Sequence, residues 1–300
     1  MNITISPGIY IVAVSGGVDS MVLLDMLAKQ RAEQTRPVHL IVAHFDHGIR
    51  PDSDGDRLFV EQAAKTYGLP FVFDQGNLGP DSSEDKARKF RYAFLERARR
   101  ASGSAAIITA HHQDDQLETA FINSLRGTGR RGLTSLNNRP TMIRPLLGIP
   151  KNDLIDYAHK SGIKWREDST NNDTRYLRNH IRHKLLPTLG PSDKNKLVDS
   201  LTELADVNDQ IDKLLANHLH TQPAAGQLSR QWFIVLPHNV ATEIMLAWLR
   251  AHKVGELNKR QLVVLTTKAK TLAPGKSLAV TPTCFIKVGK HKLALTLAER

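Results

Sequence analysis

Short apolar runs at residues 9–14, 39–44, 70–73 and 105–109 alternate with longer amphipathic stretches at 20–30, 54–67 and 83–100. The runs have strand length, and the stretches between them carry apolar residues at helical spacing, as Leu23, Leu24 and Leu27 do. Such alternation leaves few solutions. Parallel strands need long crossovers, and the crossover helices cover both faces of the sheet. The first half is therefore expected to be α/β, a Rossmann-like doubly wound parallel sheet with its ligand at the carboxyl ends of the strands. A Pro-rich strand around 142–146 and a helix over 151–161 extend the pattern.

The pattern changes after Pro187. Gly190-Pro191-Ser192-Asp193 reads as a breaker and helix cap, 194–220 as one long linker helix, and Gln222-Pro223-Ala224-Ala225-Gly226 as its end. The remainder has helical spacing over 237–251 and 258–268 and strand alternation over 278–280, 284–288 and 292–297. Gly289-Lys290 joins the last two as a hairpin. The expected organisation is a catalytic domain over 1–189, a connecting helix over 190–222 and a small α+β C-terminal domain over 223–300. A chain of 300 residues, 41% hydrophobic, can fill about two such cores.

Ser15-Gly16-Gly17-Val18-Asp19-Ser20 stands between the first strand and the first helix. Two glycines let the backbone turn tightly and approach a ligand, and helix N-terminal amides point at an anion. Ser15 and Ser20 add hydroxyls. Asp19 would repel phosphate unless it holds a metal, so it is the expected Mg²⁺ ligand. The loop is not a Walker sequence. Pro274-Gly275-Lys276-Ser277 carries Gly-Lys-Ser, but Lys270 stands where the first glycine is required. Gly127-Thr128-Gly129-Arg130-Arg131-Gly132 has dinucleotide-loop spacing but follows a helix. With Arg126 it reads as a flexible basic loop suited to RNA phosphates. Arg175, Arg178, Arg182 and Lys184 form a second basic run, and Lys287, Lys290 and Lys292 a weaker third.

Forty-one basic against thirty acidic residues give a net charge of +11, which favours a polyanionic partner such as nucleic acid. Cys284 stands alone, so neither a disulfide framework nor a two-cysteine redox mechanism is expected. His44, His47, His111 and His112 lack the spacing of a zinc site, and none is expected. No signal peptide or apolar span is apparent, so a cytoplasmic protein without a membrane partner is expected.

The Ser-Gly-Gly-x-Asp-Ser loop resembles that of the N-type ATP pyrophosphatases, the PP-loop proteins. Four further segments narrow the resemblance to a short form of the tRNA(Ile)-lysidine synthetases. They are 43–50, 87–92, 109–119 and 165–171, the last continuing into Arg178-Asn179-His180-Ile181-Arg182-His183. The resemblance implies that ATP adenylates the ring oxygen of the first anticodon cytidine of a tRNA(Ile) with a CAU anticodon. Free L-lysine then displaces AMP. It implies ATP contacts from Ser15 to Ser20 and from His44 and His111. It places lysine on Arg88, Asp115 and Glu118, with Asp19 beside them as catalytic residues. Asp115 and Glu118, three apart, share a helical face. Arg126, Arg130, Arg131, Arg178 and Arg182 are the expected tRNA contacts, and a homodimer is left open. Two alternatives stand beside this reading. A tRNA thiolase would need sulfur carriers that Cys284 alone cannot supply, and an RNA-binding or ATP-sensing module would lack catalysis.

Overall fold

The computed structural model describes residues 3–33, 37–48, 53–76, 79, 84–166, 177–220, 226–254 and 257–297. The chain divides into two compact units, one of 1–127 with 132–202, the other of 128–131 with 203–300.

The first unit is built on strands β1 (Gly8–Ala13), β2 (Val38–Asp46), β3 (Phe71–Gln75), β4 (Ala106–Ile108) and β5 (Met142–Ile143). All pair in parallel, in the order β3-β2-β1-β4-β5. Helices α1 (Val18–Glu33), α2 (Ser53–Thr66) and α3 (Glu84–Ala101) make the crossovers. α4 (Gln113–Leu125), α5 (Arg130–Leu133), α6 (Lys151–Lys160) and α7 (Leu177–His180) follow.

Central β1 is apolar on both faces because both are covered. Tyr10 and Val12 join α1 and α6 residues Val22, Leu24 and Leu154 in one core, while Ile11 packs with Phe94, Leu95 and Ile107 on the other side. Residues one apart thus serve opposite cores, as a strand period of two requires. Leu23, Leu24 and Leu27 are fully buried, each worth about 1.5–3 kcal/mol of apolar burial. Strand order reverses direction between β1 and β4. The loops leaving those two strands therefore flank the crevice where doubly wound sheets place their ligands.

The predicted strand over 142–146 shortens to Met142–Ile143. Buried Arg144 turns the chain away, its guanidinium on the Asn137 carbonyl at 2.7 Å and its amide on Asn138 Oδ1 at 2.6 Å.

Helix α8 (Pro191–His220) starts earlier than its spacing suggested, because proline suits the first helical position. In the second unit, β6 (Gln227–Ser229), β7 (Ser277–Thr281), β8 (Cys284–Val288) and β9 (Lys292–Leu297) form an antiparallel sheet ordered β6-β9-β8-β7. With α9 (Arg230–Val235), α10 (His238–Ala251) and α11 (Lys259–Thr271) it encloses Phe233, Trp248, Ile286 and Leu293. The Gly289 hairpin forms as expected. A Cβ at Gly289 would stand 2.9 Å from the Lys292 carbonyl oxygen, so glycine is required there. Pro274–Ser277 leads into a strand, where a phosphate loop would lead into a helix. Among the described residues no helix is long and apolar enough to cross a membrane.

The segment around Arg130 is not the flexible basic loop its glycines suggested. Arg130 donates to Asn208 Oδ1 at 2.9 Å, Asp212 Oδ1 at 2.7 Å and Glu243 Oε2 at 3.0 Å, and Arg131 reaches Asp212 at 2.5 Å. Arg130 thereby joins α5 to α8 and α10 inside the second unit, with its side chain only 16% exposed. Arg130→Ala is expected to lower stability by about 1–3 kcal/mol, since it removes the shared donor of a charge-assisted cluster. Calorimetry checks this; an unchanged melting temperature would show that the cluster contributes nothing.

Candidate active site

The chain leaves β1 through Val14 and turns into α1 across the loop Ser15–Ser20. Gly16 has φ +95°, a conformation that L side chains rarely adopt. Ser20 Oγ accepts the Ser15 and Gly16 amides, both at 3.2 Å, and donates to the Gly17 carbonyl at 2.9 Å. Ser15 Oγ lies 3.2 Å from the same hydroxyl, and the Arg166 amide donates to the Gly16 carbonyl at 3.0 Å. The first-turn amides of α1 have no carbonyl four residues back to bond and carry the positive end of the helix dipole. Ser15, Gly16, Gly17, Val18, Asp19 and Ser20 thus form one cradle with the electrostatics of an anion site.

His44, at the end of β2, braces this turn. Its Nδ1 lies 2.9 Å from the Val14 carbonyl, which can only accept, so Nδ1 carries the proton. Burial lowers its pKa and keeps the ring neutral. His111, beyond β4, lies with Nδ1 2.8 Å from Thr109 Oγ1. Burial pushes its pKa down to about 3 against the pull of Asp115, with Arg144, Arg91 and Arg88 pushing the same way as burial. A folded-state pKa below the unfolded value of 6.5 means that the unfolded chain binds the extra proton between the two. Stability should therefore fall as pH drops from about 6.5 towards 3, and His111→Asn should flatten that loss. Melting temperatures across that range check it, and parallel curves for the two proteins would contradict it.

Between the two loops runs a continuous set of ionisable side chains. Lys151 Nζ lies 2.5 Å from Asp19 Oδ1, and His112 Nε2 lies 3.7 Å from Asp19 Oδ2 and 3.5 Å from Asp115 Oδ2. The His112 amide donates to Asp115 at 3.1 Å, which fixes the start of α4. Arg182 then grips the helix face. Its Nε and Nη2 hold Glu118 at 2.6 and 3.0 Å, and Nη2 also reaches Asp115 at 3.3 Å. Arg178 donates to Thr119 Oγ1 at 3.1 Å and lies 3.6 Å from Glu118. Glu118 is fully buried; burial raises its pKa and Arg182 opposes the rise. Burial also works against charge on Asp115, but His112, His111, the His112 amide and Arg182 outweigh it, and its pKa is lowered. The two carboxylates are largely buried and are matched by the guanidinium groups of Arg182 and Arg178, in a setting where electrostatic contacts are strong.

Asp115 and Glu118 do share one face, as their spacing required. Arg178 and Arg182, two members of the second basic run, point at these carboxylates. Arg175 lies outside the described residues. Arg88 rests over the Tyr92 ring at 4.9 Å and, among the described residues, bonds to neither Asp115 nor Glu118. It does lie close enough to His111 to act on its charge. Arg126 is exposed at the end of α4.

Sequence reasoning missed Lys151 and the central part of His112. Lys151 carried a signal: it occupies the first position of α6, where the helix dipole disfavours a cation. Asp19 is the single acidic residue of the loop, and among the described residues no three His, Cys, Asp or Glu side chains gather as a metal cluster. Mg²⁺ commonly takes one or two carboxylates together with substrate phosphates and water. A single carboxylate at a phosphate cradle fits that mode.

A parallel sheet whose first crossover opens on this cradle defines the class: this is a PP-loop domain, and the family described by that name matches residues 6–189. A solved U34-tRNA thiolase, NcsA, from Methanococcus maripaludis shares the fold. It aligns over 67% of this chain and 74% of its own, with a TM-score of 0.55 at 17% identity. Within the class, relatives named tRNA(Ile)-lysidine synthase are more similar to this chain in sequence. One from Geobacter sulfurreducens is 37% identical over 222 residues, 70% of this chain and 46% of that protein. Another, from Gloeobacter violaceus, is 33% identical over 249 residues, 80% of this chain and 76% of that protein. The chain belongs to the tRNA(Ile)-lysidine synthase family. It spans about half the length of several of these relatives.

Proposed function

We propose that the chain ligates free L-lysine to the first anticodon cytidine of a tRNA(Ile) with a CAU anticodon, consuming ATP and releasing AMP and pyrophosphate. The observation that carries this reading is the linkage of two unlike sites through one histidine. The phosphate cradle and the carboxylate pair lie on either side of His112, with Asp19 and Asp115 both within 3.7 Å of its Nε2. An ATP-activating centre would thereby stand next to a centre that suits an amine.

In this reading the cradle holds the ATP phosphates and Asp19 holds Mg²⁺, which would offset charge on the triphosphate. His44 and neutral His111 line the nucleotide side. The ring oxygen of cytidine attacks the α-phosphorus, the anhydride bond breaks, and pyrophosphate leaves with the bonding electrons. A phosphate ester then stands where a poor leaving group stood. Lysine docks with its amine at Asp115 and Glu118 and its α-carboxylate at Arg88, whose planar fork suits a carboxylate. The deprotonated ε-amine attacks the ring carbon and AMP departs. Arg178 and Arg182 keep the carboxylate pair in place, within reach of an incoming anticodon. Exposed Arg126 and the second unit, over 203–300, supply further phosphate contacts. Arg130 and Arg131 act there through the fold of that unit.

Pyrophosphate release tests this directly. It is expected to need tRNA(Ile), to be completed by lysine, and to be insensitive to other amino acids. Release that ignores both tRNA and lysine would favour an ATP-hydrolysing or ATP-sensing module instead.

A further inference from the structure

Lys151 has no place in the reaction as set out above, yet its surroundings are unusual. Its ammonium lies at the phosphate cradle, 2.5 Å from Asp19 Oδ1, while the side chain stays 29% exposed. It sits at the first position of α6, so its charge adds to the positive end of that helix dipole instead of offsetting it. The N-terminus of α1, opposite, contributes positive potential of the same kind. The helix dipole gives a cation in that position nothing and, among the described residues, Asp19 alone holds it in the resting fold; a multiply charged anion filling the space between the helices would hold it more strongly.

Two further contacts hold α6 against α1 so that this geometry is kept. Tyr157 on α6 donates to Asp25 Oδ2 on α1 at 2.7 Å, and Lys29 on α1 bonds the Tyr157 hydroxyl at 3.1 Å. Asp25 is buried and also accepts from Tyr67 at 3.0 Å. Lys151 therefore stands on a braced helix, with only its flexible side chain free to swing.

We propose that Lys151 is a catalytic residue that binds the departing pyrophosphate, and that its contact with Asp19 is the resting half of an exchange. When the triphosphate enters, the ammonium moves from the carboxylate to the β and γ phosphate oxygens, which leaves Asp19 able to hold Mg²⁺. As the bond between the α-phosphorus and the bridging oxygen breaks, the electron pair passes to pyrophosphate, and Lys151 meets the charge that develops there. No proton has to move. The inference rests on the proposed use of ATP but not on the identity of the RNA base or of the amino acid.

Binding of inorganic pyrophosphate with Mg²⁺, and separately of AMP, to the full chain by calorimetry provides the test. Lys151→Ala is expected to weaken pyrophosphate binding about ten- to a hundredfold, the loss of one charge-assisted contact, while leaving AMP within about twofold. Lys151→Arg should restore most of the affinity. Lys151→Gln, nearly the same size, repeats the measurement should the alanine variant not fold. Pyrophosphate affinity within twofold of the parent in a folded variant would overturn the proposal. So would an equal loss for AMP, which would mean a general distortion of the cradle. Neither measurement involves tRNA or lysine, so failure here and failure of the lysidine reading are separately visible.

Discussion

Asp19→Asn is expected to lower pyrophosphate release by about two to three orders of magnitude, the scale on which removing one preorganised charge from a reacting centre acts. Asparagine has the same shape but cannot neutralise a divalent cation. The substitution also frees Lys151 from its ion pair. That pair is about 28–29% exposed on both sides, so its loss should cost stability little, under about 1 kcal/mol. Activity and stability should therefore separate. Turnover close to the parent's with an unchanged melting temperature would remove Asp19 from the mechanism.

The second large effect concerns the carboxylate pair. Glu118→Gln removes a fully buried charge from the bidentate grip of Arg182 and leaves that guanidinium with Asp115 alone. Breaking a buried pair on one side can cost about 3–5 kcal/mol, and Asp115 together with the partial exposure of Arg182 should keep the cost at or below the lower end. The kinetic expectation is sharper. The apparent Michaelis constant for lysine should rise about ten- to a hundredfold and that for ATP should hardly move, because one charge-assisted contact to an amine is lost. Arg88→Ala should act in the same direction through the α-carboxylate. Adenylated tRNA should still form in both variants, trapped with ATP labelled at the α-phosphate. Normal lysine binding with no adenylation would place the amino-acid site elsewhere.

Much of this architecture was legible in the sequence because it rests on local signals. The parallel sheet follows from apolar runs such as 9–14 and from helical spacing in the segments between them. The cradle follows from two glycines at a strand–helix junction. Asp115 and Glu118 needed only the period of a helix. The parts not legible are long-range pairings. Arg182 and Glu118 are 64 residues apart, and the destination of the basic run 178–184 depends on how α7 returns to α4. Arg130 looked like a solvent-facing cation because nothing near it in sequence reveals Asp212 or Glu243. Short elements were also missed. β6 has three residues, and α9, with the sequence Arg-Gln-Trp-Phe-Ile-Val, has the apolar, β-branched look of a strand. It is helical because Ser229 caps it and Phe233 fills the core of the second unit.

The central claim is that one crevice both activates a cytidine and delivers lysine to it. Nucleoside mass spectrometry of a CAU-anticodon tRNA(Ile), incubated with the protein, ATP, Mg²⁺ and isotopically labelled lysine, tests it most directly. The expected result is one modified nucleoside at the first anticodon position that carries the lysine label and is absent when ATP is withheld. An unmodified cytidine after full ATP consumption, or a modified nucleoside without the label, would contradict it.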